Sequence, residues 1–375
     1  MENSKSKDNI LTYLLIGGAY ISFCVGASFS TGQELMQYFS SYGAPGIAGA
    51  VIAVILMVGL IILLLKDTQK YQLANMRELF VHYGGGILGT IIYIYTVFYL
   101  FVLVVMLISG SGAIFTEYFG INNLLGRAIM TLVIFSTVIL GLNRLLDILG
   151  KLSFLIIILM LIVAVAGIVR PVDGFAEGSE MAGSMENILR PGANWFISGL
   201  MYFSWAILCQ TSYVASLSRN TTRTQKQQVK GLYVGGVGFM LLAVIPSIAI
   251  ISNISICGNS SIPTIAIARQ VGPALSMIFC VIVVIAIYTT CSPLLWSVAT
   301  TFMDEKSKWF KAVVAGSVVL AFVGSNLGSF AEILYTGTSV SAYVGFVFIA
   351  TILVTKFFRR PAAPQSEEDQ RPETV

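Results

Sequence analysis

The chain has 375 residues, 56% hydrophobic and only 11% charged, with a mean hydropathy of +0.85. A soluble domain carries about 25% charged residues, so the composition excludes a water-soluble fold and points to a polytopic membrane protein. The net charge of +4 comes from basic residues spread over short connections rather than one patch, which excludes a nucleic-acid partner.

The polar stretch Met1 to Ile10 carries Lys5 and Lys7, and the apolar run after it has no small-residue cleavage site. It reads as a retained first helix, not a signal peptide. Roughly 20 apolar residues span a bilayer. Ten segments meet that length: 11–40, 45–65, 86–118, 126–143, 147–169, 192–217, 230–253, 268–303, 309–327 and 331–357. Those at 86–118 and 268–303 exceed an upright span and are expected to tilt or to project from the membrane. The residues after Phe358 are polar and proline-rich, the composition of a disordered tail.

Inside the first segment, Gly26-Ala27-Ser28-Phe29-Ser30-Thr31-Gly32 is small and polar apart from Phe29, and Gln33 and Glu34 follow at once. Backbone in hydrocarbon must satisfy its own hydrogen bonds, so such an unwinding fits only where it faces protein or a cavity. The plainer alternative is a tight contact through small residues. Glu34 weighs against it, because a carboxylate inside the membrane is costly and usually functional. In secondary transporters a break near the midplane holds the substrate and the coupling ion.

The sixth segment, with Ser204, Trp205, Gln210, Thr211 and Ser212, is expected to open near Gly199 or Ser204. Five helices per half is an odd number, so the second half must run upside down relative to the first. The fold class is therefore all-α and polytopic: about ten transmembrane helices in a 5+5 inverted repeat, with helices 1 and 6 broken. The divisions are a cytoplasmic N-terminus (1–10), a first repeat (11–169), an extracellular loop (170–191), a second repeat (192–357) and a cytoplasmic tail (358–375). The even-numbered connections and both termini hold 18 of the 22 lysines and arginines; the odd ones hold only Arg127, Arg170, Arg190 and Arg269. Both termini are thus expected in the cytoplasm. The glycine-rich, acidic 170–190 stretch is expected either to lie over the outer mouth as a lid or to be a solvated loop.

Several groups are candidates for chemistry. Tyr99 lies nearest mid-span among the aromatics Tyr93, Tyr95, Phe98, Tyr99 and Phe101, and could offer its hydroxyl to a substrate. Trp205 could stack on an ammonium group or merely pack against lipid. Thr289 and Thr290 offer hydroxyl oxygens, and Pro293 frees a carbonyl one turn earlier. With backbone oxygens around Val25, between Cys24 and Ala27, they could hold a sodium ion; the alternative is hydroxyls bonding back to their own helix. Lys151 could supply a cation of its own and couple transport to protons, or snorkel to the interface. Five cysteines without a C-x-x-C pair give no disulfide framework, and His82, the only histidine, reads as solvated in a polar loop. The motifs of a hydrolase, metalloprotease or nucleotide-binding enzyme are missing.

The run G-A-S-F-S-T-G-Q-E at Gly26 to Glu34, followed by L-M-Q-Y-F, resembles the G-A-G-F-A-S-G-Q-E signature of YkvI-like bacterial membrane proteins. These are amino-acid permeases of the amino acid–polyamine–organocation superfamily. The resemblance implies the leucine-transporter fold and alternating access around a site between the first, third, sixth and eighth helices. It maps the broken helix onto Gly26, Ser28, Ser30, Gly32, Gln33 and Glu34, with Ser28 standing where the signature has glycine. The expected function is symport of a small zwitterion, an amino acid, driven by sodium or protons. N–H groups of the half-helix after Gly32 would hold the substrate carboxylate. Glu34 would face the substrate amine or carry a proton. The expected partners are the solute and the lipid bilayer, with no cofactor beyond a possible sodium ion. The alternatives are a receptor that binds an amino acid without moving it, as spore-germination membrane subunits resemble, and a passive channel.

Overall fold

A computed structural model describes residues 10–140, 146–220 and 222–358; the side chains of 140 and 146–153 are outside the described set. The expectations for the two ends, for Arg144 and for the Lys151 side chain fall outside the described residues. Every regular element among those residues is helical.

The first half comprises α1 (Ile10–Cys24), α2 (Ala27–Ser30), α3 (Gln33–Tyr38), a 3-10 turn (Ser40–Tyr42), α4 (Ala44–Lys70), α5 (Met76–Phe119), α6 (Asn123–Leu140) and α7 (Leu146–Val169). After α8 (Phe175–Ser184) the second half follows: α9 (Trp195–Ser218), α10 (Gln225–Ile251), α11 (Ile254–Cys257), α12 (Pro263–Val271), α13 (Pro273–Phe302), α14 (Phe310–Ser325) and α15 (Phe330–Phe358). The helices α4, α5, α10, α13 and α15 are each long and apolar enough to cross a bilayer. Their ends carry ordinary signals. Asn75 accepts from Glu78 N at 3.0 Å at the start of α5, Asn194 from Ile197 N at 3.0 Å at the start of α9, and Thr224 opens α10 with a capping box.

The two halves pack alike. α1 lies on α10 as α9 lies on α4, and α5 meets α6 as α13 meets α14. The matching pairs cross through matching glycines. A Cβ on Gly17 would come 2.8 Å from Gly235 N, and a Cβ on Gly199 would come 2.7 Å from Gly49 O. Backbones that touch this closely admit no side chain, the usual device for close helix packing in membranes.

One element is longer than expected, and two expectations change. α5 begins before the third segment: Gly85, at φ 71°, separates a helical arm, 76–84, from the 86–119 part, which is one continuous helix. That φ is left-handed, which glycine alone adopts freely. The long eighth segment is two elements, because Gly272 separates α12 from α13, and Arg269 belongs to the former. The sixth segment is not broken. α9 is continuous, its Gly199 is used for contact with α4, and Ser204 Oγ donates to Ala342 O of α15 at 2.6 Å instead of releasing the helix.

His82 is not a solvated loop residue. It sits within α5, half-buried, with ring centroids 4.5 Å from Tyr71 and 4.9 Å from Tyr83. Beside it Asp67 accepts Lys356 Nζ at 2.7 Å and the Tyr83 hydroxyl, which ties α4, the 76–84 arm and α15 together. On the opposite face, which carries the 170–194 connection and is the one expected to be outer, α8 packs on the Ser40–Tyr42 turn. There Ser179 Oγ accepts Ala44 N at 2.8 Å, and Arg190 donates to Ser41 O at 3.1 Å. The connection is thus fastened to the end of the first segment.

Candidate functional site

The first segment breaks twice. At Val25–Gly26 the chain leaves the helix: Gly26 N turns back to Cys24 O at 3.1 Å, and Gly26 is extended at ψ 178°. At Thr31–Gly32 it breaks again, with Gly32 left-handed at φ 80°. Nearby hydroxyls take up the strain on hydrogen bonding. Ser30 Oγ donates to Ala27 O at 2.9 Å and Thr31 Oγ1 to Ser28 O at 2.5 Å, while Gln33 N donates to Thr31 Oγ1 at 3.2 Å. That last bond occupies the first N–H after Gly32, one of those expected to hold a substrate carboxylate. Residues from the α11–α12 hairpin close the second break: Thr264 donates from Oγ1 to Ser30 O at 2.8 Å and from its N–H to Thr31 O at 3.2 Å. Polar backbone at membrane depth is therefore satisfied by protein, as it must be.

Glu34 stands just past this second break. It is 5% exposed, and its carboxylate accepts the Ser28 hydroxyl. The Tyr38, Tyr99 and Tyr202 hydroxyls and the Cys209 thiol lie within its electrostatic reach. The rings form one cluster. Tyr202 and Trp205 have centroids 5.3 Å apart, Tyr38 and Tyr202 5.3 Å, and Tyr99 and Trp205 6.3 Å. Tyr99 OH and Trp205 Nε1 are buried donors with no hydrogen-bond partner among the described residues. Leaving such groups unpaired is costly, so a site that completes them is favoured by the same energy.

Exposure divides at the break. Phe29 through Ser41 are all buried, whereas Cys24, Gly26 and Ser28 keep partial exposure, as does Cys209 of α9. The polar centre is sealed toward the outer face and less so toward the other.

The expected residues fare unequally. Ser28, Glu34, Tyr99 and Trp205 come together. Trp205 is 8% exposed and faces the cluster rather than lipid. Gln33 lies at the edge, lining an outer pocket. Ser204 leaves the site for α15, and the Ser30 hydroxyl stays within its own turn. Thr289 Oγ1 bonds back to Ile285 O at 2.9 Å and Ala286 O at 3.1 Å, the ordinary fate of a membrane threonine. Among the described residues no cluster of three or more His, Cys, Asp or Glu side chains could hold a metal. Sequence reasoning missed Tyr38 and Tyr202. Tyr38 follows Glu34 by four positions and Tyr202 precedes Trp205 by three, so helical spacing carried the signal. It also missed Thr264, which no local pattern marks.

No family model matches the chain. YkvI of Bacillus subtilis (strain 168), an uncharacterised membrane protein, is 23% identical over 370 residues, covering 96% of this chain and 99% of YkvI. The inward-facing conformation of Mhp1 superposes with a TM-score of 0.61 at 16% identity, over 92% of this chain and 77% of Mhp1. Mhp1 in a closed conformation with bromovinylhydantoin bound, described as a nucleobase-cation-symport-1 family transporter, gives 0.51 at 16% identity, over 92% and 78%. The chain has the fold of Mhp1. That is the five-plus-five inverted arrangement that the repeat argument anticipated and the leucine-transporter fold that the resemblance implied.

Proposed function

We propose that the chain is a coupled secondary transporter of a small amine-bearing zwitterion, an amino acid or a close relative, moved by alternating access about the breaks between α1 and α3. The observation that carries this reading is the pairing of Glu34 with unsatisfied aromatic donors at a helix break sealed on one side. A carboxylate buried beside a lone serine hydroxyl needs a cation or a proton to accompany it. The substrate ammonium answers that need, with the rings of Tyr38, Tyr99, Tyr202 and Trp205 adding cation–π attraction. Tyr99 OH and Trp205 Nε1 then donate to the substrate's carboxylate. The likeness to a symporter-fold protein and the resemblance to amino-acid permeases support transport over catalysis. The relevant membrane is the plasma membrane of a prokaryote.

For coupling, Glu34 is the group that carries a proton when no substrate is bound. The rival is sodium held by carbonyl oxygens around Val25 with Thr289 and Thr290, and one measurement separates them. Proteoliposomes would be loaded for uptake of labelled amino acids under a proton gradient or a sodium gradient. Uptake that needs the proton gradient and vanishes in Glu34→Gln supports the reading. Uptake that needs sodium and survives Glu34→Gln moves coupling to the threonines. Saturable binding with no accumulation under either gradient overturns transport and leaves a receptor.

A further inference from the structure

The last turns of α7 pack beside α12, and next to that contact lies an open groove of about 610 Å³. Two glycines shape it. At Gly167 α12 comes down on α7, where a Cβ would lie 2.5 Å from Ile267 Cγ2. α12 then ends at Val271, and the chain turns into α13 through Gly272, beside which a Cβ would meet nothing within 4 Å. Ile162, Val165 and Val169, spaced to share one face of α7, line the groove from one side, and Val271 lines it from α12. The three α7 residues are exposed. At 1.5 Å per residue the stripe from Leu161 to Val169 is about 12 Å long. Half of a bilayer's hydrocarbon core is about 15 Å deep, so the stripe runs through most of one leaflet.

Arg170 stands at the end of the groove toward the 170–194 connection, directly after α7, and is the one charged residue in the lining. Among the described residues its guanidinium has neither a hydrogen bond nor an ion pair. The other three arginines of this side are engaged on carbonyls: Arg127 on Ser325 O and Gly328 O, Arg190 on Ser41 O and Ala182 O, Arg269 on Glu117 O. Asp173, the nearest carboxylate along the chain, accepts Ser255 N at 2.9 Å instead. An apolar trough one leaflet deep, capped by an unengaged guanidinium, has the layout of a phospholipid: acyl chain below, phosphate above. A guanidinium binds phosphate oxygens two at a time. The lining offers no carboxylate to receive a headgroup ammonium, so the complementary headgroup is a net anionic one.

We propose that this groove seats one anionic phospholipid of the leaflet on the side of the 170–194 connection, with an acyl chain along α7 against Val271 and its phosphate on Arg170. The proposal is independent of the transporter reading.

The test uses the full chain in phosphatidylcholine nanodiscs. These carry a trace of either phosphatidylglycerol or phosphatidylcholine bearing the same photoactivatable acyl chain, and adducts are mapped by peptide mass spectrometry. Phosphatidylglycerol should label residues 161–170 about fivefold more than phosphatidylcholine does, the preference that one arginine at the membrane surface confers. The exposed apolar face of α14 at Val319, Leu320 and Val323 is the control in the same sample, and its ratio should be close to one. Arg170→Gln should bring the α7 ratio to about one, while Arg170→Lys should keep most of the preference. Arg170 is exposed and follows the helix end, so both variants should melt as the parent does. Equal ratios on α7 and α14 would overturn the proposal and leave ordinary bilayer lipid against both helices. A preference that survives Arg170→Gln would overturn it by placing the charge elsewhere. No adduct on 161–170 from either lipid would overturn it too, and a dimer-sized particle would then assign the groove to a second copy of the chain.

Discussion

The broken first segment, α1 to α3, and the continuous α9 hold matching places in the two halves, and each crosses its neighbour through a pair of glycines. One is broken twice and the other not at all. The difference lies in what surrounds the small residues. Around Gly199 the space that a side chain would need is filled by the Gly49 backbone, so the glycine serves contact and the helix stays whole. Around Gly26 nothing lies within 4 Å of a Cβ, and the hydroxyls of Ser30 and Thr31, with Thr264 from α12, replace the lost helical bonds. A glycine permits a break; external hydrogen-bond partners make it stable.

The crossings give the largest expected effect. Gly199→Val and Gly17→Val each push a side chain into the backbone of a neighbouring helix, and each should destabilise by about 3 kcal/mol. Thermal unfolding in detergent would show it, with similar losses for the two variants because the repeat makes them equivalent. A large loss at one site and none at the other would break the symmetry. Next comes Glu34→Gln. Removing a charged partner from the substrate ammonium costs about 2 kcal/mol, roughly thirtyfold in affinity. Isothermal binding of the transported amino acid would measure it, and an unchanged affinity would remove Glu34 from the site.

The two glycines of the break should respond differently. Gly26 is extended, a conformation open to any residue, and has free space beside it, so Gly26→Ala should fold and transport nearly normally. Gly26→Leu would fill that space, abolishing uptake while leaving membrane insertion intact. Gly32 is left-handed, and a Cβ there would also lie 2.9 Å from Thr264 Cγ2. Gly32→Ala should therefore cost about 1–2 kcal/mol of stability. Comparing the melting points of the two alanine variants sets a position that carries both backbone strain and a close contact against one that carries neither; equal values would contradict the assigned conformations.

How legible this was in the sequence follows from the range of the interactions. The broken first helix was readable because its cause is local: glycines, hydroxyls and Glu34 within a few residues. The repeat was readable from counting, since an odd number of spans per half fixes its inversion. The Glu34, Tyr99 and Trp205 grouping followed from polar residues that had no reason to be in hydrocarbon. Helix 6 was misread because Gly199 and Ser204 look alike whether they open a helix or press it against α4 and α15; only the neighbour decides. The same ambiguity hid Gly85, where a glycine triplet marks a corner in a helix, and Gly272, where an apolar run conceals two elements. Thr264 was invisible because its partner is more than 230 residues away.

Thr264 also gives the smallest and most specific test. Its hydroxyl bond to Ser30 O joins the hairpin to the second break and helps seal the outer side. Thr264→Val keeps the shape and the backbone bond to Thr31 O but removes the hydroxyl. A neutral hydrogen bond contributes about 1 kcal/mol, so the balance between sealed and outward-open states should move about fivefold toward the open one. A cysteine in place of Met36, a buried residue lining the outer pocket, would report it. Its labelling rate should rise about fivefold in the Thr264→Val background, a ratio set by the lost hydrogen bond. Ser28→Ala should leave that rate unchanged, because Ser28 lies on the less sealed side of the break. An unchanged rate with Thr264→Val would mean that packing of the hairpin, rather than its hydrogen bonds, closes the outer path, and the second break would then be stabilised from within α2 and α3 alone.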